Sequence, residues 1–164
     1  MPEEASQHLE TARVAAPKGI FPARVDERGR LKLPAAFKSY LEQLGEKDLF
    51  VTSFDGRIAR IYTPGVWESN EKHLTAPGEN RERRKRIYLK SMAFGENSRL
   101  DDQGRVLVNT DLRRAMNVEN QPVRLMNYDG VIQFWSESVH AEMMADADQL
   151  SSTDLEREEE LGLK

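Results

Sequence analysis

Residues 24–33 and 99–108 are two copies of one pattern. Arg24-Val-Asp26-Glu-Arg28-Gly29-Arg30-Leu-Lys32-Leu33 aligns with Arg99-Leu-Asp101-Asp-Gln103-Gly104-Arg105-Val-Leu107-Val108 at a constant offset of 75. The register continues without a gap, placing Phe37, Tyr40 and Leu41 on Leu112, Ala115 and Met116. After one deleted residue it resumes, with Phe54-Asp55-Gly56 on Tyr128-Asp129-Gly130. A chain of 164 residues built this way is two half-size units sharing one core.

Each unit carries the same local signals. A short strand ends at Asp26 (or Asp101), and a glycine three residues on marks a turn where positive φ is cheap. The next strand alternates, with Leu31 and Leu33 on one side and Arg30 and Lys32 on the other. Pro34 suits the first turn of a helix, whose Phe37, Tyr40, Leu41 and Leu44 follow one-faced amphipathic spacing. Leu49–Phe54 and Arg57–Tyr62 read as strands joined around Asp55-Gly56. Pro64 opens another helix carrying Val66, Trp67 and Leu74, and its counterpart begins near Ser136. Asn109 stands where the first copy has Pro34 and is expected to weaken the second helix start.

The expected layout is a disordered N-terminal extension over 1–18, a first repeat over 19–76 and a linking basic helix over 77–93. A second repeat spans 94–150, and an acidic C-terminal tail spans 151–164. The tail is expected to be loosely held; the alternative is a charged helix capped by Ser152 or Thr153.

Charge distribution bounds the partners. The net charge is −4, with −3 in residues 1–12 and −3 in residues 152–164, which leaves +2 on the body between them. Acidic tails around a mildly basic body allow nucleic-acid binding only if charge is focused in patches and contacts are multiplied. The chain has no cysteine, which rules out disulfides, thiolate metal sites and cysteine nucleophiles and fits a reducing compartment. No apolar run approaches membrane-spanning length, and Met1–Lys18 lacks the cationic start and apolar stretch of a secretory signal. A soluble, unexported protein without a membrane partner is expected.

The paired D-x-x-x-R motifs, Asp26…Arg30 and Asp101…Arg105, each followed by alternating apolar residues and a helix, resemble those of the MraZ family. Leu100-Asp-Asp-Gln-Gly-Arg105 is close to that family's second motif and Arg30-Leu-Lys-Leu-Pro34 to its first, and the likeness covers roughly Gly19 to Leu150. The resemblance implies an α+β fold: a small AbrB-like swapped-hairpin β-barrel from two tandem repeats, with flanking helices. It further implies a cytoplasmic, nucleoid-associated regulator or repressor that assembles head to tail into a homo-oligomeric ring. Such a ring would bind double-stranded DNA at repeated boxes upstream of the division and cell-wall gene cluster.

The candidate DNA-binding residues are Arg24, Asp26, Arg28, Arg30, Lys32, Arg99, Asp101 and Arg105. Their bland role is a turn-stabilising ion pair. In the functional role the aspartates shape the loops, while Arg30 and Arg105 project toward phosphates or a guanine edge. Arg24, Arg28, Arg30 and Lys32 outnumber Arg99 and Arg105, so the first repeat is expected to make more ionic contacts. The run Arg81, Arg83, Arg84, Lys85, Arg86 and Lys90 spreads charge around most of a helix. It reads first as a solvated or subunit-facing surface, with DNA contact or inter-subunit ion pairs as the alternative. Trp67, Trp135, Phe54 and Tyr128 read as core or interface residues.

No enzyme is expected. His8, His73 and His140 are isolated, and no nucleophile constellation, nucleotide-cradling loop or metal-ligand spacing appears. Hence no cofactor, metal or small-molecule substrate is assigned. The rival reading is an oligomeric protein-interaction module without DNA binding, its arginines serving subunit contacts.

Overall fold

The computed structural model describes residues 14–164. Most of the N-terminal extension expected to be disordered, residues 1–13, lies outside the described residues. The first repeat runs β1 (Phe21–Val25), β2 (Arg30–Lys32), α1 (Ala35–Leu44), β3 (Asp48–Ser53), β4 (Ala59–Tyr62) and α2 (Pro64–Thr75). Helix α3 (Arg81–Ala93) follows. The order then recurs as β5 (Glu96–Arg99), β6 (Arg105–Leu107), α4 (Thr110–Met116), β7 (Pro122–Tyr128), β8 (Val131–Ser136) and α5 (Glu137–Ala147). A last helix, α6, covers Ser152–Leu161.

Two four-stranded halves left separate would each expose unpaired edges, and the chain avoids this by exchanging them. The eight strands form one antiparallel sheet in the order β5-β3-β4-β8-β7-β1-β2-β6. The first hairpin of each copy lies against the second hairpin of the other, β1 beside β7 and β5 beside β3. The end strands β5 and β6 are joined by a tight turn, and the Leu107 N–H donates to Ser98 Oγ at 2.6 Å across them. The sheet thus closes almost completely into a swapped-hairpin barrel.

Register follows the duplication. Leu31 pairs with Val106, its own counterpart 75 residues on. Phe21 pairs with Leu125 in one half, and the equivalent Glu96 pairs with Val51 in the other. The core obeys the same rule. Val25, Leu31, Leu33, Phe37 and Leu41 are buried, as are their counterparts Leu100, Val106, Val108, Leu112 and Met116. Each such aliphatic or aromatic side chain contributes about 1.5–3 kcal/mol by leaving water.

A second, smaller cluster seats α2 and α3. Trp67 stacks near Phe50, Phe54 and Tyr62, and Leu74 joins Ile87 and Tyr88 beneath the two helices. Phe54 and Trp67 therefore pack in this cluster and Trp135 is fully buried elsewhere, whereas Tyr128 is 63% exposed at the β7–β8 turn. His140 Nδ1 accepts a hydrogen bond from Trp135 Nε1 at 3.2 Å, with the rings stacked.

Three local expectations change. Asn109 strengthens the second helix start, because its side-chain oxygen accepts the N–H groups of Asp111 and Leu112. Pro34 occupies the cap position itself and provides no side-chain cap, so the proline copy is the poorer start. The C-terminal segment is a helix and its cap is Ser151, which forms a reciprocal capping box with Asp154. All residues of α6 are exposed.

Candidate nucleic-acid interface

The two D-x-x-G-R segments fold into matching turns. Asp26 N–H donates to Arg30 O at 2.8 Å, and Gly29 N–H donates to Asp26 O at 3.0 Å. Asp101, Arg105 and Gly104 repeat this at 3.1 and 3.0 Å. The glycines sit at φ +79° and +77°, a region that costs a side-chain-bearing residue roughly 1–2 kcal/mol.

Each aspartate uses both oxygens. Asp26 Oδ1 accepts the N–H groups of Arg28 and Arg30, both at 2.9 Å, and Oδ2 accepts Arg30 Nε at 3.0 Å. Asp101 does the same with Gln103 and Arg105, its Oδ2 taking Arg105 Nε at 2.8 Å. Partial burial raises both carboxyl pKa values, but the backbone N–H bonds and the adjacent guanidinium outweigh it. The net effect holds Asp26 and Asp101 below the ordinary carboxylate value.

Because each arginine is held through Nε, the two terminal nitrogens of its fork remain available. Among the described residues neither Arg30 nor Arg105 spends an Nη atom on a hydrogen bond, and their side chains are 29% and 25% exposed. The side-chain alternation of β2 and β6 sends Leu31 and Val106 into the core and Arg30, Lys32, Arg105 and Leu107 to the outer face.

Strand pairing arranges these side chains in rows that no single repeat contains. Arg24 of β1 pairs with Lys32 of β2, and Lys32 pairs with Arg105 of β6. Arg30 pairs with Leu107, and its own repeat's Lys32 belongs to the row of the other turn. The cations that the linear sequence credits to the first repeat are thereby shared between both turns. Arg28 is exposed beside its turn. Arg24 also donates to Asn120 O at 2.8 Å and Oδ1 at 3.1 Å, and Arg99 lies 3.5 Å from Asp48 Oδ1, so both are partly committed within the chain.

Two residues at this site escaped sequence reasoning. Lys38 of α1 donates from Nζ to Asp102 O at 2.6 Å, inside the second turn. Arg113 of α4 lies over Gly29 of the first turn and donates to Val108 O. They are 75 residues apart, so the repeat offset itself would have paired them.

Helix α3 holds its position through its other side. Tyr88 Oη donates to Glu71 Oε2 at 3.0 Å, and Ser91 O accepts Thr52 Oγ1 at 2.6 Å. Arg81, Arg83, Lys85, Arg86 and Lys90 are exposed, and among the described residues none of them forms an ion pair. Among the described residues no helix is long and apolar enough to cross a membrane.

Fold and turns together define a two-repeat swapped-hairpin barrel that presents a pair of aspartate-braced arginines on one outer face. No protein-family model matches the chain. The chain is 37% identical over 106 residues to the transcriptional regulator MraZ of Acidobacterium capsulatum, covering 65% of this chain and 73% of the relative. It is 39% identical over 106 residues to that of Koribacter versatilis, covering 63% and 71%. With that of Nitrosococcus oceani it shares 27% identity over 145 residues, covering 86% and 95%. The chain belongs to the MraZ family of transcriptional regulators.

Proposed function

We propose that this protein is a sequence-specific DNA-binding regulator that uses its two Asp–Arg turns as paired contact points. The observation that carries this reading is the divided use of each guanidinium. Nε is fixed by aspartate, and among the described residues both Nη nitrogens stay free of hydrogen bonds on a partly exposed side chain. A fork held this way loses little freedom on binding and matches the O6/N7 edge of guanine or two phosphate oxygens. Arg24, Arg28, Lys32 and Arg99 add phosphate neutralisation around the turns, and Asp26 and Asp101 act by shaping them.

The two turns of one subunit offer few cations, and the chain as a whole is acidic. Affinity on this reading comes from several subunits in a homo-oligomeric ring, each engaging one of a series of repeated boxes. The relatives' shared description as transcriptional regulators supports the regulatory role. Boxes upstream of the division and cell-wall gene cluster, repression and a nucleoid location are what the resemblance of the Asp–Arg motifs implies.

A gel shift with DNA from upstream of the protein's own gene tests this, run beside a scrambled fragment and paired with sedimentation of the free protein. The expected result is a preferential shift by a multi-subunit species. Equal binding to both fragments would refute sequence specificity. An Arg30→Ala change that alters the sedimenting mass, with no DNA shift in the wild type, would favour the interaction-module reading.

A further inference from the structure

The barrel's pseudo-symmetry crosses the two turns with the two helices. Leu33 N–H donates to Gly104 O at 2.8 Å, and its counterpart Val108 N–H donates to Gly29 O at 2.9 Å. Each turn's glycine carbonyl is thus held by the strand end of the opposite repeat. The side chains that follow extend this grip. Lys38, one turn into α1, reaches Asp102 O, and its methylenes pack on Gly104, where an added Cβ would come within 3.1 Å of Lys38 Cδ. Arg113, at the same place in α4, lays its guanidinium across Gly29, where an added Cβ would collide with it.

Both cations are partly buried, with 33% and 15% of their side chains exposed, and both carry further ties. Lys38 lies 3.7 Å from Glu42, and Arg113 lies 3.9 Å from Glu119 and 3.3 Å from Thr110 Oγ1. Neither is an open surface charge of the kind that meets a phosphate.

We infer that Lys38 and Arg113 are positioning residues that set the opposite repeat's Asp–Arg turn, Lys38 governing Arg105 and Arg113 governing Arg30. The inference rests on the DNA-binding reading for its consequence but not for its geometry. The two cations work differently. Lys38 tethers a turn carbonyl directly, whereas Arg113 spends its hydrogen bonds on its own repeat and acts as a wall against which the first turn closes. The arrangement ties the two turns together: each arginine is presented by its own aspartate from within and by the other repeat's helix from outside.

The test crosses repeats in a double-mutant design on the full chain. Lys38→Met should weaken binding to the upstream DNA about fivefold, the scale of one lost hydrogen bond, and leave the salt dependence unchanged. Added to Arg105→Ala it should cost almost nothing more, while added to Arg30→Ala it should multiply the loss. Arg113→Met should show the reverse pattern, and Lys38→Arg should restore binding. Additivity with both arginines would overturn the inference. A salt slope flattened by about one in Lys38→Met would also overturn it, by making Lys38 a phosphate contact.

Amide exchange in the absence of DNA separates this from the function itself. Gly104 and Arg105 should exchange faster in Lys38→Met with Gly29 and Arg30 unchanged, and the reverse should hold in Arg113→Met. If the wild type bound no DNA, the regulator reading would fail while this crossed exchange still decided the positioning roles. Exchange altered only in each variant's own repeat would refute them. A uniform acceleration at all four amides would mean general loosening and would refute them too.

Discussion

Lys32 of β2 and Arg105 of β6 are direct cross-strand partners, so two cations from different repeats stand side by side on the outer face of the barrel. Opposed like charges in antiparallel strands cost a few tenths of a kcal/mol up to about 1 kcal/mol. Burying Leu31 and Val106 puts both cations on that face, where Asp101 also pairs with Arg105.

Lys32→Gln should therefore leave stability unchanged or raise it by up to about 0.5 kcal/mol. The same change should flatten the slope of log K against log salt for DNA by about one. Urea denaturation and anisotropy titrations at several salt concentrations check the two halves separately. A destabilised variant with an unaltered slope would contradict the assignment.

The two turn aspartates make stability depend on acid. Their pKa values are lower in the folded protein than in an unfolded chain, where an aspartate titrates at about 3.9. Their contribution is therefore fully present above about pH 4 and is lost as pH falls through the folded values. Asp26→Asn with Asp101→Asn should flatten that acid limb while keeping one side-chain acceptor per turn. Asp→Ala at either site leaves two backbone N–H groups and the arginine Nε–H without their acceptor and should cost about 1–3 kcal/mol. Denaturation midpoints between pH 2.5 and 7 read both effects, and an acid limb of unchanged steepness in the Asn pair would count against them.

Gly29 and Gly104 have equal conformational need but unequal surroundings. Both occupy positive φ, so alanine costs roughly 1–2 kcal/mol at either. At Gly104 the new methyl meets the flexible stem of Lys38 at 3.1 Å, whereas at Gly29 it meets the anchored Arg113 guanidinium. Gly29→Ala should be the more destabilising of the two by chemical denaturation, and Arg113→Ala should narrow the gap.

Asn109→Ala should lower stability by about 1 kcal/mol through loss of the α4 cap. Pro34→Ala removes no cap bond, so its effect should be smaller. Thermal melts of the two variants give the comparison, and equal losses would contradict the capping argument.

The repeat makes much of the fold legible in the sequence alone. Alternation in Leu31 and Leu33 and helical spacing in Phe37 and Leu41 located the core, and the offset carried it to Val106, Val108, Leu112 and Met116. The Asp-x-x-Gly-Arg spacing located both turns because turn chemistry is local. What stayed hidden depends on non-local pairing. That Lys32 joins Arg105, or that Lys38 crosses to Asp102, follows from which strands become neighbours once hairpins are exchanged. The Asn109 cap differs from expectation for another reason: losing proline matters less than gaining a side-chain acceptor for two N–H groups. Ser151, Ser152 and Thr153 are all suitable caps in the sequence, and the reciprocal bonds with Asp154 select Ser151.

Binding of upstream DNA by the wild type and by an Arg30→Ala/Arg105→Ala double variant, titrated across salt concentrations, tests the central claim most directly. The turns predict that the double variant keeps its fold and assembly, loses most sequence preference, and shows a slope flatter by about two. A double variant that binds the same DNA with the same affinity and the same slope would show that these two guanidiniums do not touch it.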